Sequence, residues 1–319
     1  MKAPPTQAQP PLERKRPWHD KWGGWALAGA LGLLRAIPPG VASRCGAMAG
    51  AVLGQVLPGA NAVADTNLAL AFPGKGRFWR AQMRRAMWRN LGATLGEFPH
   101  IGRLAATTAR VKGAPWLRQA LASGRNVVFF SGHVGNWELL PPLVARHGLA
   151  FAPFYRAPNN PHANSVLCFW RQRALMEAGV SSPPPLLPKG RRGAALALRY
   201  MASGGHVGVL GDQKMNDGIK ARLFGRDTMT APAAAALALR FDALIITGHV
   251  ERTAPACLTL HVDRPLDPRA LATTNQQERV ACLTQALNDR LEGWVRQRPG
   301  DWLWLHRRWE KRYYQRLHL

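Results

Sequence analysis

Acidic residues are scarce in this chain. Only 18 Asp and Glu stand against 43 Lys and Arg in 319 residues, a formal charge of +25 with a sequence pI near 11.4. A surplus of that size calls for an acidic partner: nucleic acid, anionic lipid or an acidic carrier protein. Nucleic acid is the weaker choice, because no helix-turn-helix, zinc-finger or RNA-recognition pattern occurs. Cysteine is also sparse. Cys45, Cys168, Cys257 and Cys282 form no Cys-x-x-Cys pair, which argues against a disulfide framework or metal site and predicts buried thiols in a reducing compartment. No internal repeat is visible, and no uninterrupted apolar run reaches the length of a membrane span. At 47% hydrophobic and 19% charged the composition is that of a folded protein, and the length permits one large domain with a helical appendage.

The most informative stretch is Asn126–Leu140, NVVFFSGHVGNWELL. Its apolar, β-branched and aromatic start followed by Ser131-Gly132 predicts a buried strand ending in a turn. Asn136 is placed to cap a helix through Leu139, Leu140, Leu143 and Val144. His133 therefore falls in a strand-to-helix turn, where open α/β sheets hold ligands and chemistry. Glu138, at a His-x4-Glu spacing, can orient one ring nitrogen while the other accepts a proton from an attacking hydroxyl. Ser131 is not in a Gly-x-Ser-x-Gly elbow and no Cys lies nearby, so the expected reaction is direct transfer with no enzyme nucleophile. The spacing arises by chance about 0.6 times in a chain of this composition, and a merely structural turn histidine is an even match for it.

Residues 1–21, with the cluster Arg14-Lys15-Arg16, read as a basic disordered tail, and residues 22–58 as an anchoring helical region ahead of a catalytic domain over 59–319. Trp22–Ile37 would reach about 24 Å as a helix, short of the roughly 30 Å hydrocarbon core. Its Trp residues beside basic ones favour an interfacial or re-entrant anchor over a buried globular helix or a removable signal peptide. Helices are predicted over Asn61–Phe72 and Arg77–Phe98. A strand from Leu149 to Tyr155 delivers Arg156 at its end, where an anion or merely solvent can meet it. Lys189-Gly-Arg-Arg192 opens a helix and forms a candidate phosphate site, with a solvated charge run as the alternative. His206–Gln213 is a further strand, from which Asp212 and Gln213 emerge beside His133 if the strands are parallel. Asp212 would then pair with Arg156 or with substrate. Lys214–Arg226 reads as a loop long enough to cover a ligand, Thr230–Arg240 as a Thr-capped helix, Ala243–Val250 and Cys257–Val262 as strands, and Gln276–Arg296 as an amphipathic helix. The Trp- and Arg-rich segment 302–312 could stack on nucleic acid, lie at a lipid interface, or pack on the sheet.

Several segments, taken in order, resemble the late acyltransferases of lipid A biosynthesis. They are Asn67–Pro73, Gly132–Glu138, Tyr155–Asn160, Gly211–Gln213, Leu223–Arg226, Thr230–Pro232 and Asp301–Arg308, spanning roughly residues 60 to 312. The resemblance implies an α/β fold like that of glycerolipid acyltransferases, a mostly parallel sheet flanked by helices, with an N-terminal membrane-attached region. It implies a fatty acyl chain on acyl carrier protein as donor and a hydroxyl of a Kdo-bearing, phosphorylated glucosamine lipid as acceptor. It places the enzyme at a Gram-negative inner membrane with its catalytic part on the cytoplasmic face. No cofactor, no metal, no nucleic acid and no obligate protein partner are expected. The resemblance implies His133 as general base and Glu138 as its orienting partner, with Arg156, Asp212 and Gln213 completing a polar site. Arg156, Lys189, Arg192 and Arg226 are the candidate cations for the thioester or lipid phosphate. The rivals are an acyltransferase acting on another polar lipid or glycosylated phosphoinositide, and a basic RNA- or membrane-binding protein in which His133 is structural.

Overall fold

The computed structural model describes residues 18–315, with side chains from Lys21 onward. Most of the expected basic tail lies outside the described residues, and helix α1 (Trp18–Ala36) already begins at Trp18. The centre of the fold is β2 (Val127–Ser131), buried at every position. A run apolar on both faces is what a parallel sheet covered by helices requires. Val127 and Phe129 join the core under α5 (Ile101–Thr107), α6 (Ala114–Ala122), α7 (Leu140–Arg146) and α8 (Pro161–Glu177). Val128 and Phe130 join the opposite core under α9 (Arg191–Ala202), α10 (Ala233–Arg240) and α11 (Gln276–Gln297).

The seven-stranded sheet runs in the order β1-β9-β8-β2-β5-β3-β4. Its members besides β2 are β1 (Arg110–Lys112), β3 (Phe151–Tyr155), β4 (Leu187–Pro188), β5 (His206–Leu210), β8 (Leu244–Ala254) and β9 (Cys257–Val262). Every neighbouring pair is parallel except β8–β9, which is an antiparallel hairpin. The carboxyl ends of β2, β3 and β5 therefore lie side by side, and they deliver His133, Arg156 and Asp212 to one edge of the sheet.

Residues 214–226, expected as a covering loop, instead form a second, two-stranded sheet of β6 (Lys214–Leu223) and β7 (Arg226–Thr230). Phe224 and Gly225 connect the strands, both with positive φ (53° and 70°), the signature of a tight hairpin turn whose twist matches its strands. Charges and Gly218 hid the strand pattern. The Thr cap expected for α10 is also absent: the helix begins after Pro232, and the Thr230 hydroxyl accepts from Arg308 and Asn288 instead. The cysteines are free, and Cys45, Cys257 and Cys282 are exposed rather than buried.

The C-terminal segment packs on the body. Trp302, Trp304, Trp309 and Arg308 are all buried, and Arg308 bonds Thr228, Thr230 and Asn288 across β7 and α11. Nucleic-acid stacking and a lipid interface are thus excluded for those side chains.

The N-terminal helices pack against the same body. α1 lies along α8, close enough that a Cβ on Gly24 would come within 2.4 Å of the His162 Cβ, and Arg35 bonds Glu177 and the Pro99 carbonyl. α2 (Pro39–Leu53) lies along α4 (Arg77–Glu97) through facing glycines, Gly46 and Gly50 against Gly92 and Gly96. A Cβ on Gly92 would sit 2.0 Å from the Gly46 carbonyl oxygen, so only glycine permits this backbone contact. Among the described residues no single helix is long and apolar enough to cross a membrane. α2 and the following α3 (Pro58–Ala71) together pass by length and composition, but at a 95° bend. Trp22, Trp25, Leu33, Met48, Val52 and Val56 all point outward, Leu33 being 74% exposed.

Candidate active site

His133 sits just beyond β2, at the mouth of a cavity of about 820 Å³. The cavity walls are mainly apolar, with Ile101, Phe129, Leu140, Phe151, Leu175 and Leu198 among them, and include the Glu138–Arg171 pair. It passes between α8 on one face of the sheet and α9 and α10 on the other, as their shared lining residues show.

The His133 ring is held by Asp212. Nδ1 lies 2.8 Å from Asp212 Oδ1, and the His133 backbone N–H donates to Asp212 Oδ2 at 2.9 Å. Trp302 Nε1 donates to the same Oδ2 at 2.8 Å. These contacts fix the ring with its proton on Nδ1, leaving Nε2 as the nitrogen able to accept one. Burial pushes the Asp212 carboxyl up, but the His133 charge and the three hydrogen bonds outweigh it and hold it far below the usual carboxylate range. Burial pulls His133 down, and the charges of Asp212 and Glu138 more than reverse that, leaving it above the ordinary imidazole value.

Glu138 does not orient His133, contrary to expectation. It lines the same cavity, but its carboxylate is gripped by Arg171 of α8 in a two-pronged pair at 2.6 and 2.9 Å. The cause is local: residues 137–139 form a single 3-10 turn before α7, and Glu138 there meets α8. Burial pushes the Glu138 carboxyl up, and Arg171 pulls it net below its ordinary value. Asn136 does not cap that turn; its side chain donates instead to Glu97 at 2.7 Å. Asp212, not Glu138, is thus the carboxylate that holds the His133 ring.

Gln213 lines the cavity and bonds His306 through Nε2 at 3.0 Å. The His306 and His133 rings lie 5.8 Å apart, and the Trp137 ring meets His133 at 5.0 Å edge-on. Arg156 and Lys189 are exposed at the cavity rim, joined there by Arg191. Arg192 is exposed but does not line the cavity. Arg226 lies elsewhere: its Nε donates to the Leu70 carbonyl at 3.0 Å and its guanidinium covers the Tyr313 ring, joining α3, β7 and the C-terminal segment. Ser131 lies in the cavity wall, its hydroxyl 3.4 Å from the Gly132 carbonyl. Among the described residues, no group of three or more His, Cys, Asp or Glu converges as a metal site.

Sequence reading missed Arg171, His306 and Trp302. Arg171 gave no signal, being one of two arginines in a mixed helix. His306 and Trp302 stood inside a recognisable motif but had been read only as packing or interface residues.

The model of the bacterial lipid A biosynthesis acyltransferase family matches residues 12–311. The chain belongs to that family. Among curated proteins none matches it. Among solved structures it is similar to the crystal structure of the 1-acyl-sn-glycerophosphate (LPA) acyltransferase PlsC from Thermotoga maritima, at 13% identity over 78% of this chain and 98% of that one, with a TM-score of 0.36, a likeness too slight to build on. Membership makes the protein an acyltransferase, and the cavity that His133 lines is walled mainly by apolar side chains.

Proposed function

We propose that this acyltransferase moves a fatty acyl chain from an acyl-carrier-protein thioester to a hydroxyl of a lipid A precursor of the Kdo-lipid IVA type. The observation that carries the reading is the His133–Asp212 pair at the mouth of an apolar cavity. The acyl chain lies in the cavity and its thioester carbonyl at the rim. His133 Nε2 takes the proton of the acceptor hydroxyl as its oxygen attacks that carbonyl, and the tetrahedral oxyanion forms beside the rim cations. Collapse breaks the carbon–sulfur bond, and the imidazolium returns its proton to the departing thiolate. Asp212 stabilises the transient cation and keeps the ring from turning.

Both proposed substrates are acidic, which accords with the charge of +25. Arg156 and Lys189 are suited to a phosphate or the thioester oxygen, and Arg191 joins them. Attachment to the membrane is read from Trp22, Trp25, Leu33, Met48 and Val52, all exposed on α1 and α2, with the Trp22 and Trp25 rings in contact. On this reading the acceptor approaches from the cytoplasmic leaflet of the inner membrane, where anionic lipid attracts the basic body. No resident cofactor is invoked.

The test is a donor and acceptor panel. Acyl-carrier-protein thioesters are compared with acyl-coenzyme A, and Kdo-lipid IVA with glycerophospholipids and a glycosylated phosphoinositide. Transfer to Kdo-lipid IVA from the carrier supports the reading, whereas transfer only to another lipid removes the acceptor and leaves the mechanism.

A further inference from the structure

Glu97 takes no part in the chemistry above, yet it is fully buried, with no exposed surface. It also ends α4, where the helix dipole disfavours negative charge. A carboxylate is costly there unless donors satisfy it. Five do. Ser43 Oγ of α2 donates at 2.6 Å, Asn136 Nδ2 at 2.7 Å, Arg252 Nε and Nη2 of β8 at 2.9 and 2.8 Å, and the Ala256 backbone N–H at 3.2 Å.

One of the five belongs to the turn that carries His133. That turn is shaped by Gly135, at φ +61°, where a Cβ would meet the Val250 carbonyl oxygen at 1.6 Å. The Gly135 carbonyl accepts from Asn90 Nδ2 at 3.1 Å and Thr94 Oγ1 at 3.2 Å. Asn90, Thr94 and Glu97 follow one another at helical spacing along α4, so one helix face grips residues 135 and 136. The C-terminal segment holds the other side, through Gly135 N–H to the Asp301 carbonyl at 2.9 Å and Leu303 N–H to the His133 carbonyl at 3.0 Å.

We propose that Glu97 is a positioning residue that, through Asn136, fixes the turn bearing His133 to α4. The proposal rests on His133 being the base of the acyl transfer. Through Ser43 the same carboxylate ties α2, whose outer face carries Met48 and Val52, to that turn.

A charge-conserving swap tests it. E97Q sets an amide donor against the Asn136 amide, and N136D sets carboxylate against carboxylate. In E97Q/N136D the amide introduced at 97 donates to the carboxylate introduced at 136. N136A deletes this one contact and serves if the charged variants fail to fold. Each single variant is expected to lose ~10–100-fold in kcat with KM changed less than ~3-fold. In N136A, which changes no charge, the acid limb of the pH profile stays in place, because the His133–Asp212 pair is untouched. Hydrogen exchange in the 131–139 peptide should quicken by ~10-fold or more while the central strands keep their protection. The double variant should regain kcat and protection by ~3-fold or more over either single variant, short of wild type because the amide at 97 also faces the Arg252 guanidinium. A double variant that regains thermal stability but neither kcat nor protection overturns the proposal, as do singles with unchanged kcat. If wild type transfers no acyl chain, the functional reading falls, and the exchange data alone decide whether Glu97 holds the turn.

Discussion

Asp212 is where the account can be tested on a single side chain. Its carboxylate accepts from the His133 ring, the His133 backbone and Trp302, so Asp212→Asn is expected to release the ring and lower kcat by ~100-fold or more. Glu138→Gln should cost less, because Glu138 is paired with Arg171; steady-state kinetics of the two variants decides between them. The pH dependence has a definite sign. His133 must be neutral to accept a proton, and its value is raised by Asp212 and Glu138. Activity should therefore fall on the acid side with a midpoint above about 6.5. Removing the Glu138 charge should move that midpoint down, and a pH series of kcat/KM reads it. For stability, the depressed Asp212 contributes above about pH 4 and loses its contribution as pH falls through its folded value. The raised His133 contributes below about pH 6.5 and loses its share as pH rises through its own. His133 was legible in sequence because a strand end and a turn announce themselves locally. Asp212 was placed beside His133 only on condition of parallel strands, and that it rather than Glu138 holds the ring was not legible, because the pairing of β2 with β5 is a long-range contact.

Among the elements, strands and helices with strong periodicity lie close to their expected limits, as β2, β3, β9, α4 and α11 do, while β8 runs four residues beyond its expected end at Val250. The β6–β7 hairpin was not legible, since its exposed, charged face resembles a loop until α11 packs against it. The glycine contact between α2 and α4 leaves no local mark in either sequence, and its reason appears only in the pair. Gly92→Ala should clash with the Gly46 carbonyl and cost ~1–3 kcal/mol, as overpacking does. Thermal denaturation measures it, with Gly74→Ala, which meets nothing within 4 Å, as the control. Arg308 offers a second check. Burial pulls its guanidinium down to about 10, and its hydrogen bonds hold β7 to α11 and the C-terminal segment. Arg308→Met should lose ~1–3 kcal/mol by leaving the Thr228 hydroxyl and the Asn288 side-chain oxygen without the Arg308 donor and Thr230 with Asn288 alone.

For the whole molecule, the open question is orientation. On the proposed membrane attachment, the outward apolar residues of α1 and α2 and the basic surplus should each contribute separably to binding of anionic vesicles. Trp22→Ser with Trp25→Ser should weaken co-sedimentation with anionic vesicles by ~10-fold or more, through lost apolar burial, and raising salt should weaken wild type further through screening. Acceptor turnover in vesicles should fall with binding, while cleavage of a soluble short-chain thioester should not.

The central claim is that His133, oriented by Asp212, is the base for acyl transfer to a lipid A precursor. Its most direct test incubates purified wild type, His133→Ala and Asp212→Asn with an acyl-carrier-protein thioester and radiolabelled Kdo-lipid IVA. Wild type is expected to add an acyl chain and both folded variants to lose ~100-fold or more. A His133→Ala protein as active as wild type would contradict it.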